Sequence, residues 1–258
     1  MQKDYDIMNQ RQEKILSILR QEGRVQISDL AVRFDVTEMT IRRDMRFLEK
    51  EEQLLQVKGG AVPFPVRYQP DTGTFVMTER KMSIALALYR AIMPLDTVFI
   101  STGSTALAFA VLLARMNRLP MTVITNSLPA ASMLFRSSCK VILPGGELRS
   151  RSLDLVGPVA EHNLDEYHVQ WLVTGCDGAF AERGFYTSDV NLSNLERKSV
   201  SIADHTAVLT ESGKFGRKAL TCFAGVSEVD ILATDPDLKG EDAALLEKTG
   251  MRIVYSQE

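Results

Sequence analysis

The chain has 258 residues, 45% of them hydrophobic and 24% charged, with a formal net charge of -3 at pH 7. These values are ordinary for a globular protein with a substantial core, and they exclude a polybasic chain but not a small basic face. The first residues, MQKDYDIMNQ, carry charges where a signal peptide needs an apolar run, and no apolar stretch approaches the ~18 residues of a membrane span. We therefore expect a cytoplasmic protein without a membrane partner.

The cysteines and histidines, three of each, lack the spacing of a metal site. No C-x-x-C pair occurs, so the cysteines are expected to be reduced. The chain also lacks the G-x-G-x-x-G pattern of a dinucleotide site. We expect no bound metal and no cofactor.

A proline-containing stretch, PFPVRYQPDTGT, separates two parts of the chain that differ in composition. The first part is rich in helix formers with Arg and Glu interspersed. The second alternates apolar, strand-like runs with helical segments. We predict an N-terminal domain over residues 1–62, a linker over 63–78 and a C-terminal domain over 79–258.

The N-terminal domain has the pattern of three helices followed by a hairpin. An apolar stripe predicts a first helix that ends at Gly23, and Ser28 is placed to cap a short second helix. A third helix follows after a tight turn, with Ile41, Met45 and Leu48 on its inward face. The run LLQVKGGAV then predicts a small wing. Two short helices, a tight turn and a third helix form a helix-turn-helix.

The third helix carries the side chains suited to DNA. Thr37, at its predicted cap, and Thr40 can reach phosphates. Arg42 or Arg43 is long enough to donate two hydrogen bonds to a guanine edge, and the pattern favours neither of them. Lys58 in the wing is available to a further phosphate. The residues on the outer face of the helix are Met39, Thr40, Arg42, Arg43 and Arg46. The alternative is a helical bundle whose arginines are only solvated.

The run VTEMTIRRDMRFLE, followed by KGGAV, resembles the signature of the DeoR family of bacterial repressors. The resemblance extends over almost the whole chain. It implies a winged helix-turn-helix joined to a C-terminal sensor domain that binds a phosphorylated sugar or related metabolite. The family usually has Arg and His before the Gly-Gly of the wing, where this chain has Gln56 and Lys58. That departure bears on how much the wing contributes to DNA contact.

Seven apolar runs in the C-terminal domain predict strands: TVFIS, TVITN, KVILPGG, QWLVTG, TAVLTES, DILATD and RIVYS. Their alternation with helical segments predicts an α/β fold with a mostly parallel, doubly wound sheet. In such a sheet, ligands bind beyond the carboxyl ends of the strands. Four of the strands end in small polar turns, at residues 102–105, 125–127, 144–147 and 175–178. These turns can bring backbone N–H groups and hydroxyls to one anion site.

Either Lys198 or Lys214 could supply the positive charge of such a site. The segment around Lys214 is not a P-loop, because Val208 stands where that motif needs Gly. The runs TGST, TNS, PGGE, LVGPVAE, GCDGAF and SGKFG resemble the motifs of the family's sensor domain, in the expected order. The resemblance implies an effector pocket that includes Ser101, Thr102, Gly103, Ser104, Thr105, Asn126, Gly145, Gly146, Asp177, Lys198 and Lys214.

Two positions in this pocket depart from the family pattern. The family usually has Asp at the position of Ser101 and again at the position of Glu211. The first departure removes a carboxylate that could hold sugar hydroxyls. It therefore predicts a difference in the choice of ligand.

The sensor fold also resembles the ribose phosphate isomerases, whose phosphate loop reads Thr-Gly-Ser-Thr. Their Asp-Gly-Ala-Asp stretch corresponds here to Asp177-Gly178-Ala179-Phe180, so an aromatic ring replaces the second acid. We therefore expect not an enzyme but a DNA-binding transcriptional regulator, a repressor of a sugar catabolism operon. It should bind operator DNA as a dimer or tetramer and respond to a phosphorylated sugar or related effector. The alternative is an isomerase-type enzyme fused to a helix-turn-helix, with a carboxylate such as Glu147 or Glu196 as its base.

Overall fold

The computed structural model describes residues 10–50, 53–57, 59–63 and 77–257. The chain forms two compact units, Met1–Tyr68 and Gln69–Glu258. Lys58 and most of the predicted linker, residues 64–76, lie outside the described residues. In the part of the chain that is described, no helix is long and apolar enough to cross a membrane. No group of three or more His, Cys, Asp or Glu side chains there is placed to hold a metal ion.

The N-terminal unit is a three-helix domain with a small antiparallel sheet, whose strand order is β1-β3-β2. Its elements are α1 (Gln10–Glu22), β1 (Val25–Gln26), α2 (Ile27–Arg33), α3 (Glu38–Lys50), β2 (Leu54–Val57) and β3 (Gly60–Pro63). The predicted inward face of α3 is fully buried and packs against apolar residues of α1, α2 and β2. The helix-turn-helix and its wing are thus confirmed.

Two of the three predicted helix ends agree with the structure. Helix α1 ends directly before Gly23, whose φ of +70° suits glycine. Thr37 caps α3, because its Oγ1 accepts a hydrogen bond of 3.3 Å from the backbone N–H of Thr40. The cap predicted at Ser28 is wrong: α2 begins at Ile27, so Ser28 lies inside its first turn, where its hydroxyl bonds to Asp29 instead.

The C-terminal unit alternates strands and helices along the chain. Its helices are α4 (Glu79–Ile92), α5 (Ser104–Met116), α6 (Leu128–Leu134), α7 (Pro158–Leu164), α8 (Val190–Ser201) and α9 (Gly240–Glu247). Its strands are β4 (Thr97–Ile100), β5 (Met121–Thr125), β6 (Cys139–Ile142), β7 (Glu147–Arg149), β8 (Asp154–Val156), β9 (Val169–Thr174), β10 (Gly178–Phe180), β11 (Gly184–Thr187), β12 (Ala203–Leu209), β13 (Thr221–Gly225), β14 (Ile231–Thr234) and β15 (Arg252–Tyr255).

The main sheet has seven parallel strands in the order β15-β14-β12-β9-β4-β5-β6. All seven correspond to the predicted strands, so the doubly wound α/β fold is confirmed. From β4 the chain first proceeds outward through β5 and β6, and then returns to β9 on the other side of β4. The order therefore reverses between β4 and β9, which is where an open α/β sheet forms its ligand crevice.

Helix α5 is apolar on every side, because it lies inside the unit. Its residues from Thr105 to Leu113 are all buried, and several join the strands and α4 in one core cluster. Helices α7 and α8 contribute Leu164 and Leu195 to another cluster, which includes Phe99 of β4. This packing holds the first turn of α5 at the edge of the sheet where the order reverses.

Two small antiparallel sheets were not predicted from the sequence. Strands β7 and β8 form a hairpin, and β10, β11 and β13 form a separate sheet. These strands have only three to five residues, and segments such as Glu147–Arg149 lack an apolar run. Hydrophobic periodicity cannot detect strands this short.

Candidate functional site

A cavity of about 280 Å³ lies at the point where the strand order reverses. Its walls come from the ends of three neighbouring strands: residues 102–105 after β4, residues 175–177 after β9, and residues 209–211 at the end of β12. Other elements complete it with Lys81, Thr187, Leu192, Glu196, Lys214 and Arg217. We call this space the effector cavity. It is at the small end of the range for small-molecule sites.

The first turn of α5 supplies hydrogen-bond donors to the effector cavity. Gly103 precedes the helix with φ +118°, and its carbonyl accepts the first intrahelical bond, from Leu107 N–H. The N–H groups of Ser104 and Thr105 come before that bond, so helix geometry leaves them without an intrahelical acceptor. The hydroxyl of Thr102 is buried and has no hydrogen-bond partner among the described residues. Together with the helix dipole, these donors favour an anion.

Lys214 supplies a positive charge from the short 3-10 turn Ser212–Lys214. Asp235 anchors this turn, because it accepts bonds from the backbone N–H (2.8 Å) and hydroxyl (2.6 Å) of Ser212. Burial acts to raise the pKa of Asp235, but the bonds from Ser212 and Asp237 and the charge of Arg80 hold that pKa below its ordinary value. The carboxylate thus stays ionised and keeps Lys214 in place.

Lys81, the third residue of α4, also lines the effector cavity. Its Nζ lies 3.9 Å from the Glu211 carboxylate, and the Lys81 side chain is only 17% exposed. The sequence prediction missed Lys81, because it belongs to a helix well before the first polar turn and no motif marks it.

Glu196 of α8 lines the effector cavity and is only 2% exposed. Its Oε1 accepts hydrogen bonds from Ser101 (3.2 Å) and Thr174 (2.9 Å), whereas its Oε2 is buried without a partner among the described residues. Burial raises the pKa of Glu196 to about 8, although the bonds from Thr174 and Ser101 act against this shift. At pH 7 the carboxyl group is therefore mostly neutral.

Only some of the predicted pocket residues meet in the effector cavity: Thr102, Gly103, Ser104, Thr105, Asp177 and Lys214. Ser101 lies behind the wall and bonds to Glu196. Asn126 is covered by β8, whose Leu155 exchanges hydrogen bonds with it. At Gly146, a Cβ would lie 2.6 Å from the carbonyl oxygen of Val156 in β8 and 2.8 Å from Ala160 of α7, so this loop packs closely against both elements.

Gly145 and Lys198 are likewise not among the residues that line the effector cavity. The ammonium of Lys198 forms an ion pair with Asp165. Lys198 follows Glu196 by two positions on α8. Side chains separated by two positions point about 200° apart around the axis of a helix. Since Glu196 faces the cavity, Lys198 faces away from it.

A second, wider groove of about 750 Å³ is lined by residues of β10, β11 and α9. Phe180, which replaces the second acid of the isomerase pattern, lies in this groove and packs edge-on against Tyr186 with 5.7 Å between the ring centroids. The groove mixes Lys218 and Lys239 with Glu241 and Asp242. None of the described residues that line this groove belongs to a strand of the main sheet, so the effector cavity is the better candidate.

In the N-terminal unit, α3 presents the predicted DNA-contact face to solvent. Met39, Arg42, Arg43 and Arg46 are all exposed, as is Thr37 at the cap, and Thr40 is half-buried. Arg42 lies 3.4 Å from Glu38, one turn before it. Arg43 has no ion-pair or hydrogen-bond partner within the described ranges, so its guanidinium is the more available of the two.

An anchor that the sequence did not reveal fixes α3 to α1. Asp44 is 2% exposed and accepts hydrogen bonds from Arg11 Nε (2.6 Å) and Gln12 Nε2 (3.2 Å). The bond to Asp44 raises the pKa of Arg11, so the guanidinium stays charged. Because Asp44 follows Arg43 directly, this anchor sets the rotation of the outward face.

The wing is held by two close contacts. Gln56 donates a hydrogen bond of 2.7 Å from its amide to Glu49 of α3, and its backbone N–H bonds to the same carboxylate. The side chain of Gln56, which departs from the family pattern before the wing's Gly-Gly, thus bonds within the N-terminal unit. At Gly60, a Cβ would lie 2.0 Å from the carbonyl oxygen of Val25, so only glycine lets β3 approach β1.

A winged helix-turn-helix followed by an α/β unit of this kind defines a two-domain transcriptional regulator. Residues 11–64 match the DeoR-like helix-turn-helix domain, and residues 76–236 match the DeoR C-terminal sensor domain. The chain belongs to the DeoR family. The predicted family, and a DNA-binding regulator as its class, are confirmed.

Similar proteins agree with this assignment. The L-fucose operon activator of Haemophilus influenzae is 29% identical over 90% of this chain and 93% of its own length. The glycerol-3-phosphate regulon repressor of Escherichia coli (strain K12) is 29% identical over 88% of this chain and 90% of its own length. Ribose 5-phosphate isomerase of Methanocaldococcus jannaschii is a weaker structural likeness, with a TM-score of 0.41 and 19% identity over 54% of this chain and 55% of that one. A likeness this distant carries no argument about function.

Proposed function

We propose that the chain represses a sugar catabolism operon and that a phosphorylated sugar or related metabolite, bound in the effector cavity, sets its affinity for DNA. The observation that carries this proposal is the convergence of the α5 N-terminus, the Thr102 hydroxyl and the Lys214 ammonium on one cavity. A phosphate there would accept several hydrogen bonds next to a positive charge. Relatives whose names refer to an L-fucose operon and a glycerol-3-phosphate regulon support the same ligand class.

A thermal-shift titration tests the effector site. The probes are ribose 5-phosphate, fructose 6-phosphate and glycerol 3-phosphate, each compared with its unphosphorylated parent. A ligand at a hundred times its Kd stabilises the fold by about 2.7 kcal/mol. Lys214→Ala should remove the response to the phosphorylated probe. Lys218→Ala is the matched control, because Lys218 lies four positions further on and lines the other groove. Equal responses in both variants would place the phosphate elsewhere.

For DNA binding, we propose that α3 enters the major groove and that Arg43 donates hydrogen bonds to a guanine. The other residues of this DNA-contact face are Thr37, Met39, Thr40, Arg42 and Arg46. We also propose that residues 63–78 are the linker between the two domains. A dimer or tetramer would place such helices on repeated half-sites. The target for the test is a duplex selected in vitro from a random library. Arg43→Ala should weaken binding by about 1–3 kcal/mol and relax the preference at one base. Arg118→Ala, an exposed arginine of the sensor unit, should bind like the wild type. If Arg43→Ala binds with unchanged affinity and preference, the assignment is wrong.

Effector binding can act on α4, which is the first described element after residues 64–76. The Lys81 ammonium lies 3.9 Å from the Glu211 carboxylate, and a phosphate in the effector cavity would compete with that carboxylate for the ammonium. This competition can shift the equilibrium between the DNA-binding and DNA-free states only if the ligand binds those two states with different affinity.

We propose that the effector cavity binds its ligand without converting it. The pairing of two acids in the isomerase pattern is lost at Phe180, whose ring lies in the other groove. The same sugar phosphates, incubated with the protein and analysed for isomer formation, provide the test. Turnover at a rate typical of enzymes would overturn the regulator-only proposal.

A further inference from the structure

Two buried polar atoms on the wall of the effector cavity have no partner among the described residues: Glu196 Oε2 and Thr102 Oγ1. Buried polar groups in folded proteins are nearly always hydrogen-bonded, and an unsatisfied one costs free energy. Because both residues line the effector cavity, an atom of a ligand bound there is the natural partner of each.

The geometry of the Glu196 carboxyl determines which kind of atom it can meet. Its Oε1 already accepts two hydrogen bonds, from Ser101 and Thr174, at the ends of β4 and β9. These bonds fix the orientation of the group. When the acid is neutral, its proton therefore belongs on Oε2, which then acts as a donor rather than an acceptor.

We infer that Glu196 is a specificity-determining residue, whose protonated Oε2 donates a hydrogen bond to a hydroxyl or carbonyl oxygen of the phosphorylated ligand. This inference rests on the proposed function of the effector cavity. A phosphate at the α5 N-terminus and an oxygen at Glu196 then define the two ends of the ligand. A buried group of this kind rejects an analogue that lacks the matching oxygen, because the donor would be left unpaired.

The charge state of Glu196 depends on its surroundings. The titratable and charged groups that face it or share its cavity are Cys176 and Asp177 after β9, Arg149 of β7, Glu211 and Lys214 after β12, Lys81 of α4, and Arg217. Burial raises the pKa of the Cys176 thiol to about 12, so it stays neutral between pH 7 and 9. The phosphate of a sugar phosphate, with a second pKa near ~6, is a dianion throughout this range.

The test is the pH dependence of affinity for the sugar phosphate of the panel that binds the wild type, measured by calorimetry on the full chain. A carboxyl group with a pKa of about 8 is about nine-tenths neutral at pH 7 and one-tenth neutral at pH 9. Wild-type affinity should therefore fall by about tenfold across this range. Glu196→Gln keeps a donor that does not titrate, so it should bind nearly as tightly at pH 7 and lose the pH dependence. Glu196→Leu should bind about tenfold more weakly at pH 7.

Glu211→Gln is the matched control, since it removes the other glutamate of the cavity and should retain the wild-type pH dependence. Wild-type affinity that stays constant or rises from pH 7 to 9 would overturn the inference, even if no variant folds. So would a pH dependence that persists in Glu196→Gln. If the wild type binds none of the sugar phosphates, the proposed function fails, and the inference fails with it.

Discussion

The buried anchor between α1 and α3 makes a quantitative prediction about the DNA-binding unit. Asp44→Ala removes the acceptor of two side-chain hydrogen bonds, one of them to a guanidinium at 2.6 Å. A hydrogen bond to a charged group contributes about 1.5–3 kcal/mol, and Asp44 is almost fully buried, so solvent screens it little. Arg11 is 28% exposed and can regain water, which reduces the loss. We expect a destabilisation of about 2 kcal/mol, which corresponds to a roughly 30-fold change in the opening equilibrium of the unit.

Hydrogen exchange of the full chain, followed by mass spectrometry, measures this change where it occurs. Peptides from α1 and α3 should exchange about 30-fold faster in Asp44→Ala, whereas peptides from the sensor unit should not change. Fluorescence of the single tryptophan, Trp171, reports separately on the sensor unit, because this residue lies in β9.

The chain offers a control with the same ion-pair distance and different burial. Arg33 and Glu22 form an ion pair of the same 2.6 Å length, but their side chains are 48% and 43% exposed. Exposed pairs contribute little, so Glu22→Ala should leave exchange in this unit close to that of the wild type. Equal effects of Glu22→Ala and Asp44→Ala, or none from Asp44→Ala, would refute the reasoning that burial makes this pair an anchor.

Two further predictions concern the sensor unit. Lys81→Gln should weaken binding of a phosphorylated probe by about tenfold while leaving basal DNA binding intact, as calorimetry and gel shift can measure; unchanged affinity would remove Lys81 from the site. Asp235→Asn should reduce stability at neutral pH. Because folding lowers the pKa of Asp235, its contribution is present above the unfolded pKa of ~3.9 and is lost as pH falls through the lower folded value. Acid unfolding followed by Trp171 fluorescence should therefore be less steep in the variant, and an identical profile would contradict the assignment.

The seven strands of the main sheet could be predicted from the sequence, because each contains a short apolar run within its four to seven residues. The same patterns predicted the crevice, since parallel strands bring their carboxyl ends to one edge. The sequence patterns could not predict in which direction a side chain points around its helix axis. They also could not predict contacts between residues that lie far apart in the sequence. The residue type alone makes Lys198 a candidate cation, but its position on α8 turns its side chain towards Asp165. The pairing of Arg11 with Asp44 joins residues 33 positions apart, and no local signal marks either of them.

The position of Ser101 shows how a departure from the family pattern can act without touching the ligand. Its hydroxyl lies 3.2 Å from Glu196 and does not line the effector cavity. An aspartate at this position, as the family usually has, would place a second carboxyl against Glu196. Two carboxyls this close cannot both ionise easily, so they would share a proton and hold about one negative charge. With Ser101, Glu196 can be neutral on its own. Serine instead of aspartate therefore changes the charge of the cavity wall and leaves the first turn of α5 unaltered.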